Sequence, residues 1–156
     1  LLFIDSYSGI AGKTSTEKHS TNSPTDLTGL GVEISTCLKE LKDSPDIFLD
    51  SVSPLLTMLK PEYILNFLQS VGARVKGSGG RFYFTAGTSV DTQVLAEMQE
   101  VCDCVIETQV FEVRGQQRRR MRIKKMRGRK HSERWTDMRI EPKKGLVFLT
   151  RRSREE

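Results

Sequence analysis

A chain of 156 residues with 37% hydrophobic and 29% charged residues has the length and balance of one soluble domain around a buried core, which excludes the disordered classes. No apolar run is long enough to span a bilayer, and the first, Leu1–Ile4, is too short for a secretion signal and lacks its basic flank. The net charge of +5 conceals two parts of opposite sign: residues 1–111 carry 8 Lys and Arg against 14 Asp and Glu, net −6, and residues 112–156 carry 17 against 6, net +11. A cationic end of this kind can face phosphates or an acidic partner.

Leu1–Ile4 reads as a buried strand, followed by a long polar loop through Pro24. Asp26 can cap a helix carrying Leu27, Leu30, Ile34, Leu38 and Leu41 at helical spacing, ending near Ser44-Pro45. The continuous apolar run in Asp46–Asp50 predicts a strand buried on both faces, as in a parallel sheet. Pro61 suits the first turn of a helix carrying Ile64, Leu65, Leu68, Val71 and Val75, which the glycine-rich stretch 77–80 stops. A strand at Arg81–Thr85 and a helix over Val90–Val101 complete an alternating order that implies right-handed crossovers and a mainly parallel, helix-covered sheet.

Beyond Cys102 the pattern changes to strands joined by short turns: 104–113, 118–126, 135–140 and 146–150. One domain over residues 1–150 and a flexible tail at 151–156 are expected. The chain opens on Leu1 rather than Met, which reads as a fragment. Cys37, Cys102 and Cys104 are an odd, sparse set, and C-x-C alone lacks half of a zinc site, so reduced thiols in a cytoplasmic protein are expected.

Gly12-Lys13-Thr14 ends like a phosphate-binding G-x-x-x-x-G-K-[ST] loop, but Tyr7 stands where its first glycine belongs. Residues 13–26 hold no aliphatic or aromatic side chain to pack the helix that such a loop needs, so a surface loop is expected. Ile47-Phe48-Leu49-Asp50 has the form of a Walker B strand, an apolar run ending in an acid that can hold a nucleotide-bound magnesium, with Ser51 beside it. A strand-ending Asp that merely caps the next loop fits the same residues. Thr85-Ala86-Gly87-Thr88 lies at the matching end of its own strand, where it could sense a γ-phosphate or simply turn the chain.

From Arg114 to Lys130 there are ten Lys and Arg and no acid. Alternate members on a strand face opposite sides, so one row can line a site while the other meets solvent; a solvated, aggregation-resistant edge fits equally. Little aromatic interleaving is visible for nucleic-acid binding. Trp135 reads as core, and His131 has no evident Ser or Cys partner for a catalytic triad.

Taken together, Leu2–Ser8, Asp26-Leu27, Phe48-Leu49-Asp50-Ser51-Val52 and, most specifically, Lys125-Met126-Arg127-Gly128-Arg129-Lys130-His131 leading to Trp135 and Gly145 resemble the KaiC-like branch of the RecA-superfamily ATPases over nearly the whole chain. The resemblance implies an α/β RecA-like core with a C-terminal antiparallel extension, ATP and magnesium as cofactors, and Asp50 as the magnesium-side acid with Ser51 and Thr85 nearby. It further implies a homo-oligomeric ring in which Lys125 and Arg127 reach in trans to a neighbour's γ-phosphate with His131 close by. The family's upstream phosphate loop and catalytic glutamates have no counterpart in this sequence. A regulatory or signal-transducing ATPase domain that hydrolyses ATP only with residues from outside this sequence is therefore expected. The alternative is an inactive homologue serving as an oligomerisation module, or one that binds nucleic acid or an acidic partner, in either case with no membrane.

Overall fold

The computed structural model describes residues 1–41 and 44–149, with strands and helices interspersed as far as residue 101 and strands alone beyond it. Two units divide after Glu100. Thr150 and the expected tail at 151–156 lie outside the described residues.

In the first unit, strand β1 (Ile4–Asp5) pairs in parallel with β2 (His19–Ser20). The apolar opening is less of a buried strand than expected, for Phe3 is 60% exposed and Leu1 wholly so. The polar stretch after Lys13, expected to be loop alone, contributes β2, whose His19 is buried at 3% exposure. Hydrophobic periodicity could not reveal a two-residue strand built from His and Ser.

Helix α1 (Leu27–Glu40) begins where Asp26 Oδ1 accepts from Gly29 N at 2.8 Å, satisfying one of the orphan amides of the first turn. It buries Leu30, Gly31, Ile34 and Cys37 along one face and ends at Glu40, sooner than expected. Strand β3 (Asp46–Leu49) follows, then a single turn, α2 (Leu55–Met58), that the spacing did not announce. Helix α3 (Pro61–Gly77) has Pro61 in its first turn and buries Ile64, Phe67, Leu68, Val71 and Val75. Arg74 of α3 reaches α1, donating from Nη1 to Gly31 O at 2.8 Å. Strand β4 (Arg81–Phe84) pairs in parallel with β3 from Asp46↔Arg81 to Leu49↔Phe84. Gly80 makes that approach: a Cβ there would lie 2.1 Å from Pro45 O. Helix α4 (Thr92–Val101) adds Met98 to the core.

Alternation along β3 and β4 divides the sheet into two unlike faces. Ile47, Leu49, Phe82 and Phe84 pack against a core of Leu30, Ile34, Ile64, Leu68, Val71 and Val75. Phe48, 72% exposed, stacks on Tyr83 at 4.7 Å on the opposite face, where Arg81 also forms two bonds to Asp46. The expected burial on both faces is therefore corrected to burial on one, because the apolar faces of α1 and α3 supply a single layer.

The second unit is an antiparallel meander of β5 (Cys104–Val113), β6 (Gln116–Met126), β7 (Thr136–Glu141) and β8 (Gly145–Phe148), in that order across the sheet. Arg114 and Gly115 join β5 to β6 with φ of 51° and 75°, the two positive angles of a type I′ hairpin. Among the described residues, the expected mainly parallel sheet is thus present only as two two-stranded pairs, and the largest sheet is the antiparallel one. The architecture is mixed α/β, and no helix among the described residues is long and apolar enough to cross a membrane.

Candidate functional site

The β3–β4 pairing continues past both strands, with Thr85 N donating to Leu49 O (3.1 Å) and Val52 N to Thr85 O (3.0 Å). Asp50 and Thr85 are thereby set side by side, and Thr85 Oγ1 donates to Asp50 Oδ1 at 2.5 Å. Ser53 Oγ accepts from Gly87 N at 2.7 Å and ties the two loops together. Asp50 and Thr85 are exposed and Ser51 half-buried. Ligands in open α/β sheets bind at this carboxyl end of the strands. One carboxylate among hydroxyls is a hard-oxygen set that suits magnesium. Among the described residues no group of three His, Cys, Asp or Glu could hold a metal ion. The set therefore fits a magnesium ion that brings phosphate and water ligands with it, and does not fit a metal held by protein alone.

A second strand-ending acid, Asp5, escaped the reading of the sequence, although it ends an apolar run just as Asp50 does. Its Oδ1 accepts from Tyr7 N (2.9 Å) and Ser8 N (3.0 Å), and its Oδ2 from Ser15 Oγ (2.7 Å). The hydroxyls of Ser8 and Ser15, then the two amides, hold its carboxyl well below the ordinary carboxylate range. A carboxyl depressed in the folded state stabilises the loop at every pH above its unfolded value, and that contribution is lost only as pH falls through the folded one. Protection of the Tyr7 and Ser8 amides from hydrogen exchange should therefore persist below pH about 4, where an ordinary Asp protonates. Asp5→Ala should remove that protection at neutral pH.

Asp5 organises the loop that holds Gly12-Lys13-Thr14. Ile10 N donates to Tyr7 O (3.1 Å), Gly12 N to Gly9 O (3.1 Å) and Lys13 N to Ser8 O (3.0 Å). These amides are spent on the loop's own carbonyls, and the next helix begins only at Leu27, so the segment is no phosphate cradle.

Buried His19 is held by α1, its Nδ1 2.8 Å from Glu33 Oε2 and its Nε2 3.5 Å from Glu40 Oε1. Lys18 Nζ donates to the same Glu40 oxygen at 2.7 Å. Burial, then Glu40 and Glu33, pushes the Cys37 thiol up, which disfavours a reactive thiolate.

In the second unit, Arg127 Nη1 donates to Asp103 Oδ1 and Arg127 N to Asp103 O, at 2.8 and 2.7 Å. Lys125 is half-buried opposite Val105, next to a β-bulge. Burial raises the Cys102 thiol, while the charges of Lys125 and Arg127 pull it back. His131 shares a hydrogen bond with Arg129 O through Nδ1, and its buried Nε2 has no partner among the described residues. Asp103, which steadies Arg127, gave no signal in the sequence because it pairs across 24 positions.

Trp135 is no core residue. It lies half-buried with the Arg120 and Arg122 guanidinium carbons each 4.6 Å from its ring, and Arg120 also covers Phe111 at 4.7 Å. Arg120 donates to Gln109, and Arg122 donates to Glu107 from Nε at 2.6 Å. Aromatic residues do interleave with the arginines, although β5 and the segment before β7 supply them. Asp50, Ser51 and Thr85 belong to the first unit, and Lys125, Arg127 and His131 to the second.

A family model described as a family of unknown function, DUF7504, matches residues 5–108, more than half of the chain. The chain belongs to the DUF7504 family. Comparison with curated proteins gives no match for this DUF7504 chain. Its fold is similar to that of the KaiC-like protein PH0186 of the hyperthermophilic archaeon Pyrococcus horikoshii OT3, with a TM-score of 0.66 at 18% identity. The likeness covers 85% of the DUF7504 chain and 59% of PH0186.

Proposed function

We propose that this chain forms part of a RecA-superfamily ATP site, contributing the magnesium-side acid and the neighbour-facing cations of a cytoplasmic ring with a regulatory or signalling role. The observation that carries the reading is the Asp50–Thr85 pair at the carboxyl ends of two adjacent parallel strands. The likeness to a KaiC-like fold supports it. Thr85 engages Oδ1 of Asp50, which orients the carboxylate and leaves Oδ2 to bind a magnesium-bound water, with Ser51 as a further oxygen. Bound magnesium neutralises charge on the β- and γ-phosphates. Lys125 and Arg127 answer the γ-phosphate of a neighbour, with His131 beside them; to do so Arg127 exchanges the Asp103 carboxylate for phosphate. An exposed ion pair of this kind is worth only about 0–1 kcal/mol, so the exchange costs little.

Magnesium-dependent binding of a fluorescent ATP analogue by the full-length protein tests the reading. Asp50→Ala should weaken the magnesium-dependent part about tenfold, in line with other changes around metal sites. Affinity and magnesium dependence that survive the substitution would show that Asp50 is only a loop cap.

The self-satisfied loop over residues 7–13 favours a second reading, in which the chain is a non-hydrolysing oligomerisation or docking module. Ring assembly with no effect of nucleotide would support it.

A further inference from the structure

The ten cations between Arg114 and Lys130 are not one feature. Along an extended strand, nine residues from Arg118 to Arg127 span about 30 Å, so the two ends of β6 cannot serve the same phosphate. Arg127 lies just past the end of β6 that leads to His131. The opposite end has its own geometry.

Strands β6 and β7 pair only at Arg119↔Met138, Arg120↔Asp137 and Met121↔Thr136. Beyond Arg119 they part, for Gln116–Arg118 stay paired to β5 and Arg139–Glu141 to β8. The fork opens a cleft of about 520 Å³ lined by Gln117, Arg118, Arg119 and Arg139, with Asp137 the one acid among the described residues that line it and Met138 and Leu149 as apolar lining. Arg118 and Arg119 are exposed and have no carboxylate partner among the described residues. Arg139 donates to Glu141 through Nε. Antiparallel order also brings both hairpin turns to this end of the sheet, so exposed Arg114, Lys143 and Lys144 flank the mouth. Glu141, held by Arg139 and Lys144, and Glu112 are the acids beside them. Phe111 stands opposite Arg118 in the register, half-exposed, with Arg120 against its ring.

We infer that the β6/β7 fork is a binding site for single-stranded nucleic acid. Guanidinium groups from two strands line the fork, Arg118 and Arg139 from one face of the sheet and Arg119 from the other, and each can grip a phosphodiester by paired N–H donors. The cationic turns continue the track for adjoining phosphates, and Phe111 offers a ring edge and face for a base. Together, the excess of guanidinium over carboxylate and the neighbouring aromatic favour a nucleic-acid strand over an acidic peptide. Duplex, with its stacked bases, could use the charges but not the ring.

Fluorescence anisotropy of the full-length protein with labelled dT20 and U20, over a salt series, tests the site. Arg118→Ala/Arg119→Ala is expected to weaken binding at least tenfold and to flatten the salt slope by about 1.4, two single-strand phosphate contacts at about 0.7 each. Lys124→Ala/Lys130→Ala removes the same charge from elsewhere in the run and should change affinity less than threefold. Arg118→Lys/Arg119→Lys keeps the charge but not the paired N–H donors, so it should keep the salt slope while losing part of the affinity, and melting by circular dichroism checks that each variant is folded; Arg118→Gln replaces any variant that is not. Equal losses in the two alanine pairs would overturn the inference in favour of diffuse attraction, as would equal affinity for duplex. Tighter binding of a Glu-rich peptide of matched charge, or no binding at 50 mM salt, would overturn it as well. None of these readouts depends on ATP, so failure of the Asp50 test leaves this one standing.

Discussion

Ile64→Ala is expected to lower the unfolding free energy by about 2–5 kcal/mol, whereas Phe48→Ala should cost about 1 kcal/mol or less. Ile64 is wholly buried in the core cluster that also holds Leu68 and Val71 and that the inner face of β3–β4 packs against, so truncation removes apolar burial and leaves a cavity in that core. Phe48 is an equally apolar residue in an equally apolar run, but it loses little beyond its stack on Tyr83. Chemical denaturation of the two variants reads the difference directly. At about 4–8 °C per kcal/mol for a unit of this size, the Ile64 variant should melt at least 8 °C lower. A Phe48→Ala loss as large as that at Ile64 would mean that the open face of the sheet is covered in solution.

The contrast shows what could be read from the chain and what could not. Leu27, Leu30 and Ile34, and Ile64, Leu68, Val71 and Val75, recur at helical spacing, and that periodicity is the physical requirement for packing a helix on a sheet. Both helices are therefore legible, along with Asp26 as cap and Pro61 as start. Ile47-Phe48-Leu49 carries no such information about its second face. Alternation would have betrayed a solvent side, and an apolar Phe48 on that side erases the signal. Strand β2 was illegible for the opposite reason, because His19 is buried by bonding to Glu33 and not by being apolar. In the site, Asp50 and Thr85 could each be found at a strand end, but only the parallel register shows that they meet. A lone tryptophan in a sequence reads as core, yet Trp135 is half-buried under two arginines. Its partners, Arg120 and Arg122, come from a neighbouring strand, and no spacing along one strand could have announced them.

Arg127→Ala in the full-length assembly should slow ATP turnover about 10³-fold or more, the effect of removing a cation that answers charge on a transferring phosphoryl group. This expectation rests on the proposed ATP site. Asp103→Asn provides the internal control: it releases Arg127 from its carboxylate and should leave turnover unchanged or raised, whereas a purely structural Arg127–Asp103 pair would make both substitutions harmful. A mixing experiment separates action in trans from action in cis. Asp50 is assigned to its own subunit's nucleotide and Arg127 to the neighbour's, so Asp50→Ala and Arg127→Ala proteins are each inactive alone. Co-assembled at equal amounts in a head-to-tail ring, about a quarter of the interfaces pair an intact Asp50 with an intact Arg127. Turnover should recover to that fraction of the unsubstituted protein. If the mixture stays as slow as its components while assembling normally, Arg127 does not act across the subunit boundary. The Arg127–Asp103 pair is then simply a clasp between the start of β5 and the end of β6.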